Sequence, residues 1–165
     1  ARELIIGLDL SLRRPAMCAI GSDWEQEWKR VVVESYEPSS TGTQRYWDIA
    51  QRVTDFCRRV EATHVFVEDY PRHIKSASVH ALAECGGVVK TLLEQWTGIV
   101  AEPVNISSAR KLLLGTLPRK DSKLVVFESL RSIDCPVVNH DEADAFLVAN
   151  IGLSERGWWF VGAGG

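Results

Sequence analysis

Cysteine is scarce in this chain, and what there is does not cluster. The four residues Cys18, Cys57, Cys85 and Cys135 are widely and irregularly spaced, with no C-x-x-C pair. That pattern argues against a zinc site. Cys18, Cys57 and Cys85 lie inside apolar patterns and read as small core residues, which points to a reducing, cytoplasmic compartment. Long apolar runs are also missing. None approaches the ~20 residues that cross a bilayer, and no signal-peptide pattern is expected. An excess of basic charge is missing too. The formal net charge is −3, so any surface for a polyanion must be local. There is no internal repeat and no low-complexity segment.

What is present is an ordinary globular mixture, 45% hydrophobic and 25% charged, on 165 residues. That length fits one domain with a substantial core, expected over 1–161 with a flexible tail at 162–165. The pattern opens with three strands, at 4–10, 16–20 and 29–36. Their short connections imply an antiparallel meander. Helical periodicity follows, with Tyr46, Ile49, Ala50, Val53, Phe56, Cys57 and Val60 on one face. The unbroken apolar stretch before Glu68 reads as a buried parallel strand at 64–68.

A long helix at 76–96 carries two apolar stripes. Val79, Leu82, Gly86, Val89, Leu93 and Trp96 make one; Ala81, Cys85, Val88 and Leu92 make the other. Two stripes mean two buried faces, one for the sheet and one for a partner subunit. Gly86 and Gly87 in mid-helix each cost roughly 1 kcal/mol relative to alanine, which predicts a compensating close backbone contact. A fifth strand at 99–105 precedes a short helix capped by Ser107 or Ser108 and ending at Leu114. Another helix starts at Asp121 or Ser122 and reaches about 132, and the last runs from 140 to 153. Trp47 and Trp96 fit helix cores, and Trp158 and Trp159 fit packing of the C-terminus. The whole is α/β: a five-stranded mixed sheet, part antiparallel meander and part helix-linked parallel strands, with helices on both faces.

Four acids stand where apolar runs stop. Asp9 closes the first strand, Glu68 closes the fourth, and Asp141 and Asp144 lie three apart at the start of the last helix. Gathered together, they would repel one another unless a cation neutralised them. Asp69 competes with Glu68 for the inward position. Asp141 also suits a first-turn acid that stabilises the helix dipole. His140 shares a helical face with Asp144 and reads as a base, a phosphate contact or an ordinary capping residue.

Gly7-Leu8-Asp9-Leu10-Ser11 resembles the opening strand of the ribonuclease H-like nucleases, with the RuvC-like Holliday junction resolvases as the closest branch. Val65-Phe66-Val67-Glu68 is similar to their strand-terminal glutamate, and Asp141-Glu142-Ala143-Asp144-Ala145 to their closing helix. The stretch from Ser76 to Val89 is a looser match to their long dimer helix. Two stretches depart from the pattern: Leu10-Ser11 replaces a glycine or proline-glycine pair, and Leu114-Gly115-Thr116-Leu117-Pro118-Arg119-Lys120 replaces a glycine-lysine-rich loop.

The resemblance selects Glu68 over Asp69 and implies a ribonuclease H-like fold. It implies hydrolysis of phosphodiesters in four-way DNA with two magnesium ions ~4 Å apart, for which manganese can substitute. Asp9, Glu68, Asp141 and Asp144 would be catalytic and metal-ligating residues, since magnesium takes oxygen ligands. Arg72, His73, Lys75, Arg110, Lys111, Arg119, Lys120 and Lys123 could flank the acids and neutralise phosphates. Lys120 and Lys123 resemble the basic residues before the family's last helix. Tyr70 could stack on an unpaired base. A two-fold homodimer through 76–96 would suit a junction with two equivalent strands. The rivals are a related nuclease acting on RNA–DNA hybrids or other branched DNA, and a non-catalytic nucleic-acid-binding protein on the same fold. An actin-like or sugar-kinase-like ATPase is disfavoured by the lack of glycine-rich phosphate turns.

Overall fold

The computed structural model describes residues 2–70 and 76–162. Five strands form one sheet in the order β3-β2-β1-β4-β5. β1 (Leu4–Asp9) lies at its centre. β2 (Ala16–Gly21) and β3 (Val32–Ser35) extend it antiparallel. β4 (His64–Glu68) and β5 (Glu102–Val104) extend it parallel on the other side. The meander and the helix-linked strands therefore meet at β1, as the sequence pattern implies.

Two strands are shorter than expected. The chain at Trp28–Arg30 closes a 3-10 turn before β3, so pairing with β2 begins only at Ala19 opposite Val32. At the opposite edge Pro103 sits inside β5, where an edge strand tolerates the missing N–H, and three residues pair.

The helices divide between the two faces. α1 (Gly42–Arg59) and α2 (Ala77–Thr97) cover one. Their apolar residues join Ile6, Leu8, Met17, Ala19, Val65 and Val67 in one core. α3 (Ile106–Leu114), α4 (Ser122–Ser132) and α5 (His140–Glu155) lie on the other, with Ile5, Cys18, Ile20 and Phe66. Alternation along each strand produces this split, because successive side chains point to opposite faces. Asp9 has the parity of Ile5 and Glu68 that of Phe66. Both acids therefore belong to the α5 face, and Asp69 does not. Asp69 instead donates its backbone N–H to Val104 O at 2.9 Å.

α5 is buried without interruption from Glu142 to Leu153. A helix apolar all round must be covered on all sides. The sheet covers one side. α3, α4 and the C-terminal segment cover the rest, the last tied down by Asn150, which exchanges two 2.8 Å hydrogen bonds with the Val161 backbone. An aromatic cluster closes the end: Trp24 meets Trp28, Phe146 and Trp159 at 5.1, 6.2 and 5.0 Å.

The N-terminus of α5 is fixed by Asn139, whose side chain accepts from Glu142 N at 2.8 Å. Glu142 accepts from Ser35 Oγ and from Val138 N, so this buried acid ties α5 to β3. The cap of α3 is Asn105, accepting from Ser108 N at 3.0 Å, and neither Ser107 nor Ser108 fills that role. Trp47 is not a core residue. It is 42% exposed and meets Trp96 edge to face on the surface between α1 and α2. All four cysteines are buried and free.

The glycines separate into two kinds. A Cβ on Gly7 would lie 2.2 Å from Ala145 O and 2.4 Å from Ala149 N, so β1 and α5 touch backbone to backbone there. On Gly86 or Gly87 a Cβ would meet nothing within 4 Å. Among the described residues the close contact expected at these two is absent, and α2 runs through them unbroken. Gly7→Ala is expected to lose at least about 2 kcal/mol of stability through overpacking, whereas Gly86→Ala is expected to gain up to about 1 kcal/mol from helix propensity. Urea unfolding of the two variants beside the parent checks both signs.

Candidate active site

The carboxyl ends of β1 and β4 open into a cleft of about 640 Å³. In parallel sheets such ends are where ligands collect. Asp9, Glu68 and Asp141 line it, together with the β1–β2 turn (Leu10, Ser11, Leu12, Arg13) and α2 on the far wall (Ala77, Ala81, Leu82, Gly86, Lys90). Asp144 lies one turn along α5 from Asp141, and only 2% of it is exposed.

The four acids lie within reach of one another's charge. Asp9 is 7% exposed. Burial pushes its carboxyl well above the ordinary range, and the charges of Glu68, Asp144 and Asp141 push it further. Burial raises Glu68, with Asp144 adding to it while Arg110 and Lys123 pull it down. Burial also raises Asp144 against the pull of Arg110 and Lys123, and Asp141 adds to the rise. Desolvation and like charge thus both oppose ionisation here.

Positive charge arrives from three elements. Arg14, in the β1–β2 turn, donates Nε to Asp141 Oδ2 at 2.7 Å. Arg110, on α3, donates Nη2 to Asp144 Oδ2 at 3.3 Å. Lys123, in the first turn of α4, reaches the same oxygen at 4.0 Å. These ion pairs fall on Asp141 and Asp144, while Asp9 and Glu68 have none among the described residues.

The basic residues predicted from sequence therefore separate. Arg110 and Lys123 are in the site. Lys111, Arg119 and Lys120 are exposed and outside the cleft lining. Arg72, His73 and Lys75 lie outside the described residues. Tyr70 lines the cleft, with Lys90 Nζ 5.9 Å from its ring centre. His140 stacks on Phe127 at 5.1 Å, so it packs α5 against α4. Arg14 was not foreseen. The only local signal was the basic pair Arg13-Arg14 in the turn after the strand-terminal Asp9, and nothing in the sequence names Asp141 as its partner.

The donor set fits a hard divalent cation: four carboxylates supply oxygen only, and their repulsion is what such a cation relieves. Among the described residues no three such side chains form one ion's shell as they stand, and Arg14 and Arg110 engage two of the acids. The ion-free site also sets a pH dependence. The folded protein holds the Asp9 proton more tightly than the unfolded chain does, so stability falls as pH rises from about 4 through the raised folded value. Asp9→Asn removes this opposition. Its thermal midpoint without divalent ions is expected above the parent's at pH 7, with the gap closing toward pH 4. Melts followed by circular dichroism in chelator decide it, and a parent as stable as the variant at pH 7 contradicts it.

No family model matches the chain, and no curated protein matches it. Solved structures do. Thermus thermophilus RuvC is similar with a TM-score of 0.69 at 16% identity, over 94% of this chain and 97% of that one. T. thermophilus RuvC in complex with a Holliday junction substrate gives 0.68 at 16% identity, over 94% and 96%. The fowlpox virus resolvase in complex with Holliday junction DNA gives 0.58 at 9% identity, over 93% and 98%. With its central β1, its parallel and antiparallel wings and α5 laid across them, this chain has the ribonuclease H-like fold in the form found in these Holliday junction resolvases.

Proposed function

We propose that this protein is a magnesium-dependent endonuclease that resolves four-way DNA junctions by hydrolysing phosphodiesters. Asp9, Glu68 and Asp141 lining one cleft, with Asp144 close enough for its charge to act on Asp9, carry the reading, and the fold shared with junction resolvases supports it. Those four carboxylates would hold two magnesium ions, with manganese as a substitute. When bound, such ions supply activation of water and neutralisation of the phosphate oxygens. Asp9, at the end of the central strand and within reach of the charge of all three others, would hold the ions together with Glu68 and Asp144. Asp141 either ligates or orients a water.

The protein's own cations complete the site. Arg110 and Lys123 stand beside the acids and can receive a phosphate's charge. Tyr70 offers a ring within the same cleft on which an unpaired base can stack. Lys111, Arg119 and Lys120 add a wider basic surface for flanking strands. Arg72 and Lys75 follow Tyr70 in the chain and belong to the same reading. No helix among the described residues is long and apolar enough to cross a membrane.

A second copy would dock through α2. Ala81, Val88 and Leu92 of its second stripe remain partly exposed, and a groove beside Gly87 runs between α1 and α2 past Trp47. Two copies related by a two-fold axis would present two sites to the two equivalent strands of a junction.

The test is cleavage of a labelled four-way junction with magnesium, beside linear duplex, flap and RNA–DNA hybrid. The parent is expected to make paired nicks in the junction. Asp9→Asn and Asp144→Asn are expected to lose more than the ten- to hundredfold that removal of an outer-shell partner costs a metal site, while still binding the junction. Cleavage by both variants at the parent rate rules out the site. Preference for the hybrid redirects the reading to another nuclease of this fold, and binding without magnesium-dependent cutting redirects it to a non-catalytic DNA-binding protein.

A further inference from the structure

The acid cluster is already close to neutral without any metal. Arg14, Arg110 and Lys123 come from three separate elements and contact Asp141 and Asp144. A guanidinium keeps its charge at any pH a protein meets. Three cations against four carboxylates leave at most one net negative charge. Two divalent ions added to this site would leave it strongly positive. That excess would oppose loading unless the resident cations moved or a polyanion entered.

The contacts are of a kind that can open. Arg110 is held to the acids by one 3.3 Å contact, and its Nε is buried with no hydrogen-bond partner among the described residues. A buried donor left unpaired is costly, so this guanidinium lacks its full set of acceptors among the described residues. Arg14 makes a single Nε contact to Asp141, and about a third of its side chain is exposed. Lys123 is 60% exposed and 4.0 Å away. Each contacted oxygen belongs to an acid that the reading above assigns to the metal.

We propose that Arg14 and Arg110 are displaceable counter-ions: each occupies a carboxylate oxygen in the ion-free protein, yields it to a divalent ion, and turns to the phosphate of the entering strand. They act on the metal site through Asp141 and Asp144, and on the entering strand directly. Ion binding and DNA binding are then linked, each strengthening the other by the same factor. Magnesium alone binds weakly, and the site assembles fully only around its substrate. This inference rests on the nuclease reading and adds to it an order of events.

Calorimetric titration of the full chain with Mg²⁺, in the absence of DNA, tests it. Removing a resident positive charge a few ångströms from a divalent ion is expected to tighten binding on the order of tenfold. Arg14→Gln and Arg110→Gln should each show this gain, and Arg110→Lys, which keeps the charge, should stay near the parent. A four-way junction titrated with and without Ca²⁺ reads the linkage. The ion should tighten junction binding in the parent and do so less in Arg14→Gln/Arg110→Gln. A melt in chelator establishes that each variant folds; if Arg110→Gln does not, Arg14→Gln carries the same test at Asp141. Unchanged or weaker Mg²⁺ binding in the folded Gln variants overturns this proposal and leaves the nuclease reading standing, and so does equal linkage in parent and double variant. No ion binding by the parent, with or without junction, overturns both.

Discussion

The site depends on one close approach. α5 crosses β1 so tightly at Gly7 that the backbone of Ala145 and Ala149 fills the space a Cβ would need. Only glycine on the strand and small residues on the helix permit this. Gly152 repeats the device one step along, lying against the Phe66 ring. Asp144 immediately precedes Ala145, and Asp9 follows Gly7 on the same strand face. The contact that seats the helix therefore also sets the distance between the two acids. Van der Waals exclusion fixes it in a way that no flexible loop could.

Gathering those acids costs stability, and the rest of the α5 face offsets that cost. Asp9, Glu68 and Asp144 are all pushed toward protonation by burial and by one another. Against this stand twelve consecutive buried residues of α5, the aromatic cluster around Trp24 and the Asn139–Glu142–Ser35 lock at the helix start. Apolar burial at roughly 25 cal/mol per Å² overcomes electrostatic opposition of this kind provided the burial is extensive. An almost wholly buried helix is thus the appropriate carrier for charged residues that must not move. The same helix contributes its dipole, whose positive end lies at Asp141 and lessens the repulsion there.

Much of this was legible in the order of residues. Strand β4 ends at Glu68 because its apolar run ends there, and α2 starts at Ala77 because Ser76 caps it ahead of the apolar periodicity. The parity that sends Glu68 to the α5 face and Asp69 to the opposite one is a consequence of a two-residue repeat, visible once Phe66 is assigned to the α5 face. What was not legible depends on contacts between distant segments. Trp47 has the spacing of a core residue, yet its surroundings leave it on the surface. Gly86 and Gly87 resemble close-contact glycines, yet the close contact is at Gly7, which a strand pattern alone does not distinguish. The pairing of Arg14 with Asp141 joins residues 127 apart in the chain; only the fold brings that turn over the start of α5.

The cleft is chemically lopsided, and that asymmetry bears on where selectivity resides. Its β1, β4 and α5 side carries the acids and their cations. Its α2 side presents Ala77, Ala81, Leu82 and Gly86, with Lys90 and Tyr70 at the margin. On the nuclease reading proposed above, the acids would face a phosphate group, which is the same in every nucleic acid, so they would supply reactivity without choice. Discrimination between a branched duplex and a linear one must come from surfaces that sense the path of the strands leaving that phosphate. On that reading, those surfaces would be the α2 wall and the exposed bases Lys111, Arg119 and Lys120. The α2 wall stands on the face of the sheet opposite α5. Reactivity would then be fixed by packing at the Gly7 contact, and selectivity carried by walls that can vary around it.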